Sequence, residues 1–402
     1  MNTSHDPRAA WLVTLLAAAV LMVTMGARQS MGLFVAPLDL STGLGIATIS
    51  FAMAVGQFIW GAIQPVAGAV ADRYGPGRVL AGGIVLLALG SALTPWMTSG
   101  WGLVFSIGLL SAAGAGAGSF SVLMGAAAQR LPIEKRGMAS GVINAGGSFG
   151  QFLFAPVLQK LISLFGWMGA MWSLAAMTLL ALPLARGLRR TAPVAAHPDD
   201  RGVGHAVLEA LRDPSYLLLH AGFFTCGFHI AFLVTHLPGE VQLCGLPPSV
   251  ASWSLALIGL ANIAGSLFAG WAVQRHRSKY VLFWMYASRA ALVAVYLLAP
   301  KSALTFYLFA IALGFTWLAT VPPTAGLVGK LFGVRYLATL FGLTLLSHQI
   351  GGFFGAWLGG MAIASMGNYD WMWYADMALA AAAALVNLPI REAHPRAAVQ
   401  PA

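Results

Sequence analysis

The stretch Gly68-Ala-Val-Ala-Asp72-Arg73 returns in altered form as Gly270-Trp-Ala-Val-Gln274-Arg275, 202 residues further along the chain. Other positions keep a step of 201: Pro37 falls on Pro238, Gly125 on Gly326, Gly141 on Gly342 and Gly150 on Gly351. A nearly constant step held at five separated places marks an internal repeat, and each copy fills about half of the 402 residues. The medium of the repeat follows from composition. Hydrophobic residues make up 59% of the chain and charged residues only 8%, with a mean hydropathy of +0.79. A soluble domain carries about 25% charged residues. A soluble fold, a disordered chain, a coiled coil and a disulfide-stapled domain are therefore all excluded. Two cysteines, Cys226 and Cys244, offer no disulfide framework, and Cys226 reads as a buried free thiol.

A helix needs about 20 apolar residues to cross the hydrocarbon, because lipid offers open backbone groups no partner. Twelve apolar runs meet that need, near 11–36, 46–70, 79–97, 102–128, 137–159, 167–186, 215–237, 249–273, 280–299, 302–328, 337–365 and 371–390. The first run continues past Arg28 to Val35 and reads as an uncleaved first span. A repeat of six spans, an even number, makes the two copies parallel, related by an axis along the membrane normal. The expected fold is an all-α polytopic membrane protein with twelve transmembrane helices in two parallel six-helix repeats. The N-terminal bundle is expected at 1–187, a cytoplasmic linker at 188–213 and the C-terminal bundle at 214–402.

The net charge of +10 is a matter of topology. Of the 22 Lys and Arg residues, only Lys160 and Lys301 fall on one side of this plan, and only Arg28 and Arg289 fall within spans. The rest gather on the side of the two termini, which places both termini in the cytoplasm; the expected location is the cell inner membrane. A nucleic-acid partner is not expected; the lipid bilayer is.

The segment Gly68-Ala-Val-Ala-Asp72-Arg73-Tyr-Gly75-Pro-Gly-Arg78 between spans two and three matches the pattern Gly-x-x-x-Asp-Arg-x-Gly-x-x-Arg. With the twelve-span repeat, the chain resembles the major facilitator superfamily along its whole length. Gly26-Ala-Arg28-Gln29 in span one, Gly166-Trp167 before span six and Ser347-His348-Gln349 in span eleven are similar to bacterial members of the monocarboxylate-porter type. The resemblance implies that Asp72, with Arg73 or Arg136 and a neighbouring helix N-terminus, latches the cytoplasmic side while the cavity faces outward. An anion at a helix N-terminus is stabilised by the helix dipole and by charge pairing. The alternative is a topological anchor with solvated charges. In the second repeat the place of Asp72 is taken by Gln274, so that latch is weaker or uncharged.

The fold places a substrate site near mid-membrane between the halves. Arg28 lies there, and a charge at that depth costs at least ~2.5–3.5 kcal/mol on insertion scales. The neighbouring spans carry no acid at its depth, so its expected partner is a substrate anion held by the planar guanidinium. The alternative is a structural arginine bonded to backbone carbonyls and Gln29. A step of 201 maps position 28 onto His229, which would face the same cavity and could carry a proton. His348 and Gln349 form a second polar pair, and Gln57, Asn144, Gln151 and Asn262 could complete the pocket or act as interhelical glue. Pro156 and Pro322-Pro323 invite helix bending. Arg289 is expected to point inward toward span eight or eleven in a structural role. Asp376 is the single candidate acid within the membrane.

Characterised monocarboxylate porters carry an acid–arginine pair in span eight; the corresponding positions here are Asn262 and Ser266. Coupling through that pair is therefore absent, which leaves His229, His348 or the substrate itself to carry the proton. The antiporter pattern of span five is not evident around Gly146–Pro156, and span four has no charge, which favours uptake by symport. The expected function is a monomeric secondary transporter of a small organic anion, monocarboxylate-like, with a proton as candidate co-substrate. No cofactor, metal or enzymatic activity is expected, because metal-ligand spacings, nucleophile elbows and dinucleotide fingerprints are all missing. The alternative is a carrier or exporter of larger amphiphiles, such as a drug or vitamin, with Arg28 structural.

Overall fold

The computed structural model describes residues 7–128, 133–188, 203–332 and 337–392. The side chains of Asp72, Arg73, Arg136 and Gln274, and most of the linker, lie outside the described residues.

Span one is Pro7–Gln29, which runs on through a tight turn at Met31–Phe34 into Val35–Thr42. Span two is Ile46–Tyr74 and span three Pro76–Leu93. Span four runs from Gly100 to Ala128, widened to π geometry over Val104–Ser111 and interrupted at Gly118. Spans five and six form one helical stretch, Ile133–Leu179, that turns sharply at Gly166. There φ is +69°, a backbone shape that glycine alone adopts freely. Pro214–Leu243, Pro248–Arg275 and Ser278–Leu298 are spans seven, eight and nine. Span ten is split into Ala303–Thr316 and Val321–Phe332, and Leu337–Met366 and Asp370–Asn387 are the last two helices. Among the described residues, nine segments are long and apolar enough to cross a membrane, Gly141–Gly187 counting as one although it turns at Gly166. The last two helices are not among those nine.

Helix ends are set locally. Span seven starts at Pro214, whose missing N–H costs nothing at that position. Asp213 accepts hydrogen bonds there from the Ser215 and Tyr216 amides at 2.7 and 3.2 Å.

The packing repeats as the sequence does. Span one lies on five and seven on eleven; two lies on four and eight on ten; three lies on six and nine on twelve. Each second contact is the first displaced by six spans. Close approach rests on glycine: a Cβ at Gly150 would overlap the carbonyl oxygen of Met22, and one at Gly351 would overlap that of Phe224. The two contacts are equivalent, since 351 − 150 = 201 and 224 − 22 = 202. Gly351→Val is expected to push spans seven and eleven apart and lower stability by about 1–3 kcal/mol, read as an earlier thermal transition in detergent. Wild-type melting would contradict this packing.

Between the halves, span two meets eleven and span five meets eight. At the end of the molecule remote from the termini these seams are shut. Gly360 lies on Ser50, Gly32 lies on the Val234 carbonyl, and the Phe51 ring is 6.2 and 5.9 Å from Phe353 and Trp357. The terminal end differs at its glycines. A Cβ at Gly68, Gly141, Gly270 or Gly342 would meet no described atom within 4 Å. The seams are thus closed at the distal end, and at the terminal end these four glycines have no described neighbour.

At the terminal end of the second half, Glu392 accepts from the amides of Ser278 and Lys279, each at 2.9 Å, and from Lys330 Nζ at 2.6 Å. It caps span nine from the far end of the chain. Burial works to raise its carboxyl, but Lys330 and the two amides outweigh that and hold it below the usual 4.5. A lowered folded value gives stability that is complete above 4.5 and is lost as pH falls through the folded value. Glu392→Gln is therefore expected to melt earlier than wild type at neutral pH, with the gap closing on acidification. A gap that stays constant down to acid pH would contradict the cap.

Candidate functional site: a lone guanidinium between the halves

Arg28 sits in the last turn of span one, where Ser30 folds back to donate to the Gly26 carbonyl at 2.9 Å. Its Nη2 donates to Gln57 Oε1, and its Cζ lies 4.2 Å from the centre of the Trp60 ring. Gln57 and Trp60 are three residues apart on span two and so share one face. A neutral amide and an aromatic face orient the guanidinium without cancelling its charge; stacking contributes about 0.5–2 kcal/mol. The ion pairs among the described residues are His205–Glu209, His229–Asp376 and Lys330–Glu392, and none includes Arg28.

Arg28 and Gln57 line a narrow cavity with about 50 Å³ of free space. Met31, Met53, Leu87 and Ile107 form an apolar wall, and Ser111 and Thr235 bring hydroxyls. Thr235 belongs to span seven, so the cavity bridges the two halves. A cation among apolar side chains suits a small anion with an apolar body.

The other expected site residues are placed elsewhere. Gln349 lies across from span two and packs on Gly61, one turn from Gln57, and its Oε1 has no described partner. His348 Nδ1 is 2.9 Å from Gln349 Nε2, and its ring faces Phe223. Gln29 is buried beside Arg28 with Oε1 unpartnered, and it takes no part in holding Arg28. Asn144 is half-buried and does not line the cavity. Asn262 bridges span five and span ten: Nδ2 donates to Ser148 Oγ at 2.9 Å, and Oδ1 accepts from the Leu318 amide at 2.9 Å. Gln151 donates to the Leu255 carbonyl at 3.1 Å and closes the same seam.

Two expectations are corrected. His229 does not face the cavity; it is fully buried inside the second half, with Nδ1 2.6 Å from Asp376 Oδ2 and its ring 5.9 Å from that of Trp317. The reason is register. Spans one and seven correspond at a step of 202, as Met22 and Phe224 show, so the counterpart of Arg28 is Ile230. One residue along a helix turns a side chain by about 100°. Arg289 points neither to span eight nor to span eleven. It donates to the Thr316 carbonyl, to the Trp317 carbonyl at 2.5 Å and to Cys226 Sγ at 3.3 Å, on spans ten and seven.

Arg289 and Asn262 together serve the break in span ten. Pro322 and Pro323 have no N–H to give the preceding turn. Val321 N turns back to the Leu318 carbonyl at 3.1 Å, which frees the Trp317 carbonyl. The guanidinium takes the freed oxygens and Asn262 takes the Leu318 amide, so the break leaves few backbone groups open.

Trp60, Ser111 and Thr235 escaped the sequence reading. Trp60 was within reach of it: a tryptophan one helical turn from Gln57 shares its face. Ser111 and Thr235 carry no such signal among the many hydroxyls of apolar helices.

The model of the Major Facilitator Superfamily matches residues 15–247 and 240–401. The chain is 27% identical over 393 residues to monocarboxylate transporter 13 of Rattus norvegicus, covering 94% of this chain and 89% of that protein. It is 26% identical over 384 residues to the oxalate:formate antiporter of Oxalobacter formigenes, covering 90% and 86%. Its fold resembles that of a bacterial homologue of the human lysosomal transporter Spinster, solved inward-facing and unoccupied, with a TM-score of 0.72 at 14% identity over 96% of this chain and 95% of that one. These matches are to transporters, not enzymes. A multi-pass helical chain whose two halves repeat in sequence and in packing, and which this family model matches across most of its length, belongs to the Major Facilitator Superfamily.

Proposed function

We propose that the protein carries a small organic monoanion across the inner membrane by alternating access, with Arg28 as the counter-charge of its passenger. The observation that carries this reading is a guanidinium in an inter-half cavity with no carboxylate bonded to it among the described residues. Similarity to a monocarboxylate transporter and to an oxalate:formate antiporter supports an organic anion. The small free space and the single cation favour a short monoanion over a large amphiphile.

In this reading the halves, 1–187 and 214–402, rock about the cavity, and the linker 188–213 joins them in the cytoplasm. The excess of Lys and Arg makes the terminal end cytoplasmic, and the closure at the distal end fits a state that opens inward. Reversal brings Gly68, Gly141, Gly270 and Gly342 together at the terminal end, with Asp72, Arg73, Gly75, Arg78 and Arg136 as the latch. Transport is proton-coupled uptake by a monomer.

A thermal-shift screen of purified protein against short mono- and dicarboxylates tests the reading. A ligand that binds only the folded state raises the transition by mass action. Stabilisation by at least one short monocarboxylate and by no neutral analogue is expected; stabilisation by large neutral or cationic amphiphiles alone would overturn the reading.

A further inference from the structure

His229 and Asp376 make the buried ion-pair contact of the described residues that no cavity or solvent explains: 2.6 Å apart, with side chains 1% and 0% exposed. Each keeps one polar atom without a described partner, His229 Nε2 and Asp376 Oδ1, and the buried indole N–H groups of Trp317 and Trp373 are open as well. Trp317 faces the His229 ring, and Trp373 lies one turn from Asp376 on span twelve. Four buried polar atoms without a described partner thus gather around one contact on neighbouring elements, and such atoms ask for an explanation.

We propose that His229 and Asp376 form the protein's proton-binding site, separate from the anion site at Arg28. This rests on the reading of the protein as proton-coupled. Without the exchangeable proton, one hydrogen lies between Nδ1 and Oδ2 and the pair carries a net charge of −1. Uptake of one proton from water at Nε2 gives an imidazolium beside a carboxylate, net zero; release at the other face reverses the step. Atoms and charge balance with water as the only partner. A full unit of charge appearing at a dry site must be met by movement or by water entry.

The other titratable groups around the pair are committed. On span seven, Cys226 bonds Arg289, and His236 bonds the Ala356 carbonyl at 2.7 Å. From span nine, Arg289 is spent on the span-ten carbonyls, Tyr286 stacks beneath it, and Tyr296 donates to Glu240 at 2.6 Å. His348 of span eleven bonds Gln349, and Tyr369, ahead of span twelve, bonds His236. The fixed cations in these surroundings are Arg289 and Lys301, and Lys301 is held on Tyr296, its Nζ 3.5 Å from the ring centre and 2.6 Å from the carbonyl oxygen.

The position also offers a route to the gate. Val234 lies five residues beyond His229, about 7.5 Å along the same helix. Its carbonyl meets Gly32 in the distal closure, and with Thr235 it lines the Arg28 cavity. Span seven, set against spans ten and twelve by the charge of the pair, therefore touches both closure and cavity.

The test needs no substrate. Proton uptake by purified protein in lipid nanodiscs is followed by titration over the pH range in which the protein stays folded. Wild type is expected to bind one proton more than Asp376→Asn or His229→Gln, each measured as monodisperse protein. Asp376→Glu should restore the uptake. Trp317 emission should fall as the imidazolium forms, a change missing in Trp317→Phe. Arg28→Gln should titrate as wild type does, so failure of the anion reading would leave this result standing. Superimposed curves for wild type and whichever of Asp376→Asn and His229→Gln folds would overturn the proposal and make the pair a fixed hydrogen bond.

Discussion

Replacing Arg28 with Gln is expected to weaken binding of a short carboxylate by about ten- to a hundredfold while leaving the thermal transition of the empty protein near that of wild type. The size follows from the contact removed. A hydrogen bond to a charged group is worth about 1.5–3 kcal/mol, and each 1.4 kcal/mol is a factor of ten. Stability should change little because the guanidinium has one side-chain partner, Gln57, and a stacked ring, Trp60, and no ion pair among the described residues. Arg28→Lys keeps the charge but loses both the fork and the planar stack, so it should fall between the two. Calorimetric titration with a carboxylate found by the thermal-shift screen gives the affinities. If Arg28→Gln instead unfolds the protein with binding intact in the surviving fraction, the arginine is structural.

The second large effect is expected at the other intramembrane arginine and has the opposite character. Arg289→Leu should lower stability by about 3 kcal/mol and leave carboxylate affinity in the folded fraction unchanged. Two backbone carbonyls, those of Thr316 and Trp317, would lose their donor in a buried place, at about 1–3 kcal/mol each. Removal of a buried charge offsets part of that loss. Arg289→Lys brings a single ammonium where a fork reaches Thr316, Trp317 and Cys226 together, so it should recover only part of the stability. Wild-type melting of Arg289→Leu would mean that the break in span ten is held by something else, and Asn262, which binds the Leu318 amide, would be the next residue to test. The two arginines look alike in the sequence, each a lone charge within an apolar run. Their surroundings divide them: one is saturated by protein acceptors, the other faces a cavity.

The architecture was legible because close helix packing needs glycine at matching places in each repeat. Gly150 and Gly351 sit against equivalent carbonyls, so the symmetry of the fold appears directly as a step in the sequence. Arg28 was legible from cost alone, since a guanidinium in an apolar run demands a reason, and Gln57 stood out as polar at similar depth. Side-chain direction was not legible. The repeat step of 201 or 202 leaves one residue of doubt, enough to send His229 to the wrong side of its helix. Nor does any local pattern join His229 to Asp376, which are 147 positions apart and meet only because span seven packs on span twelve. Arg289 was misdirected because its acceptors are backbone oxygens, which exist only once Pro322 and Pro323 have broken span ten.

Counterflow into proteoliposomes, comparing a short carboxylate with its neutral amide of the same shape, tests the central claim most directly. The account predicts that external labelled carboxylate accumulates against unlabelled carboxylate inside, and that the amide neither enters nor competes. Equal movement of the amide would show that negative charge is not what the protein recognises, and would contradict the account.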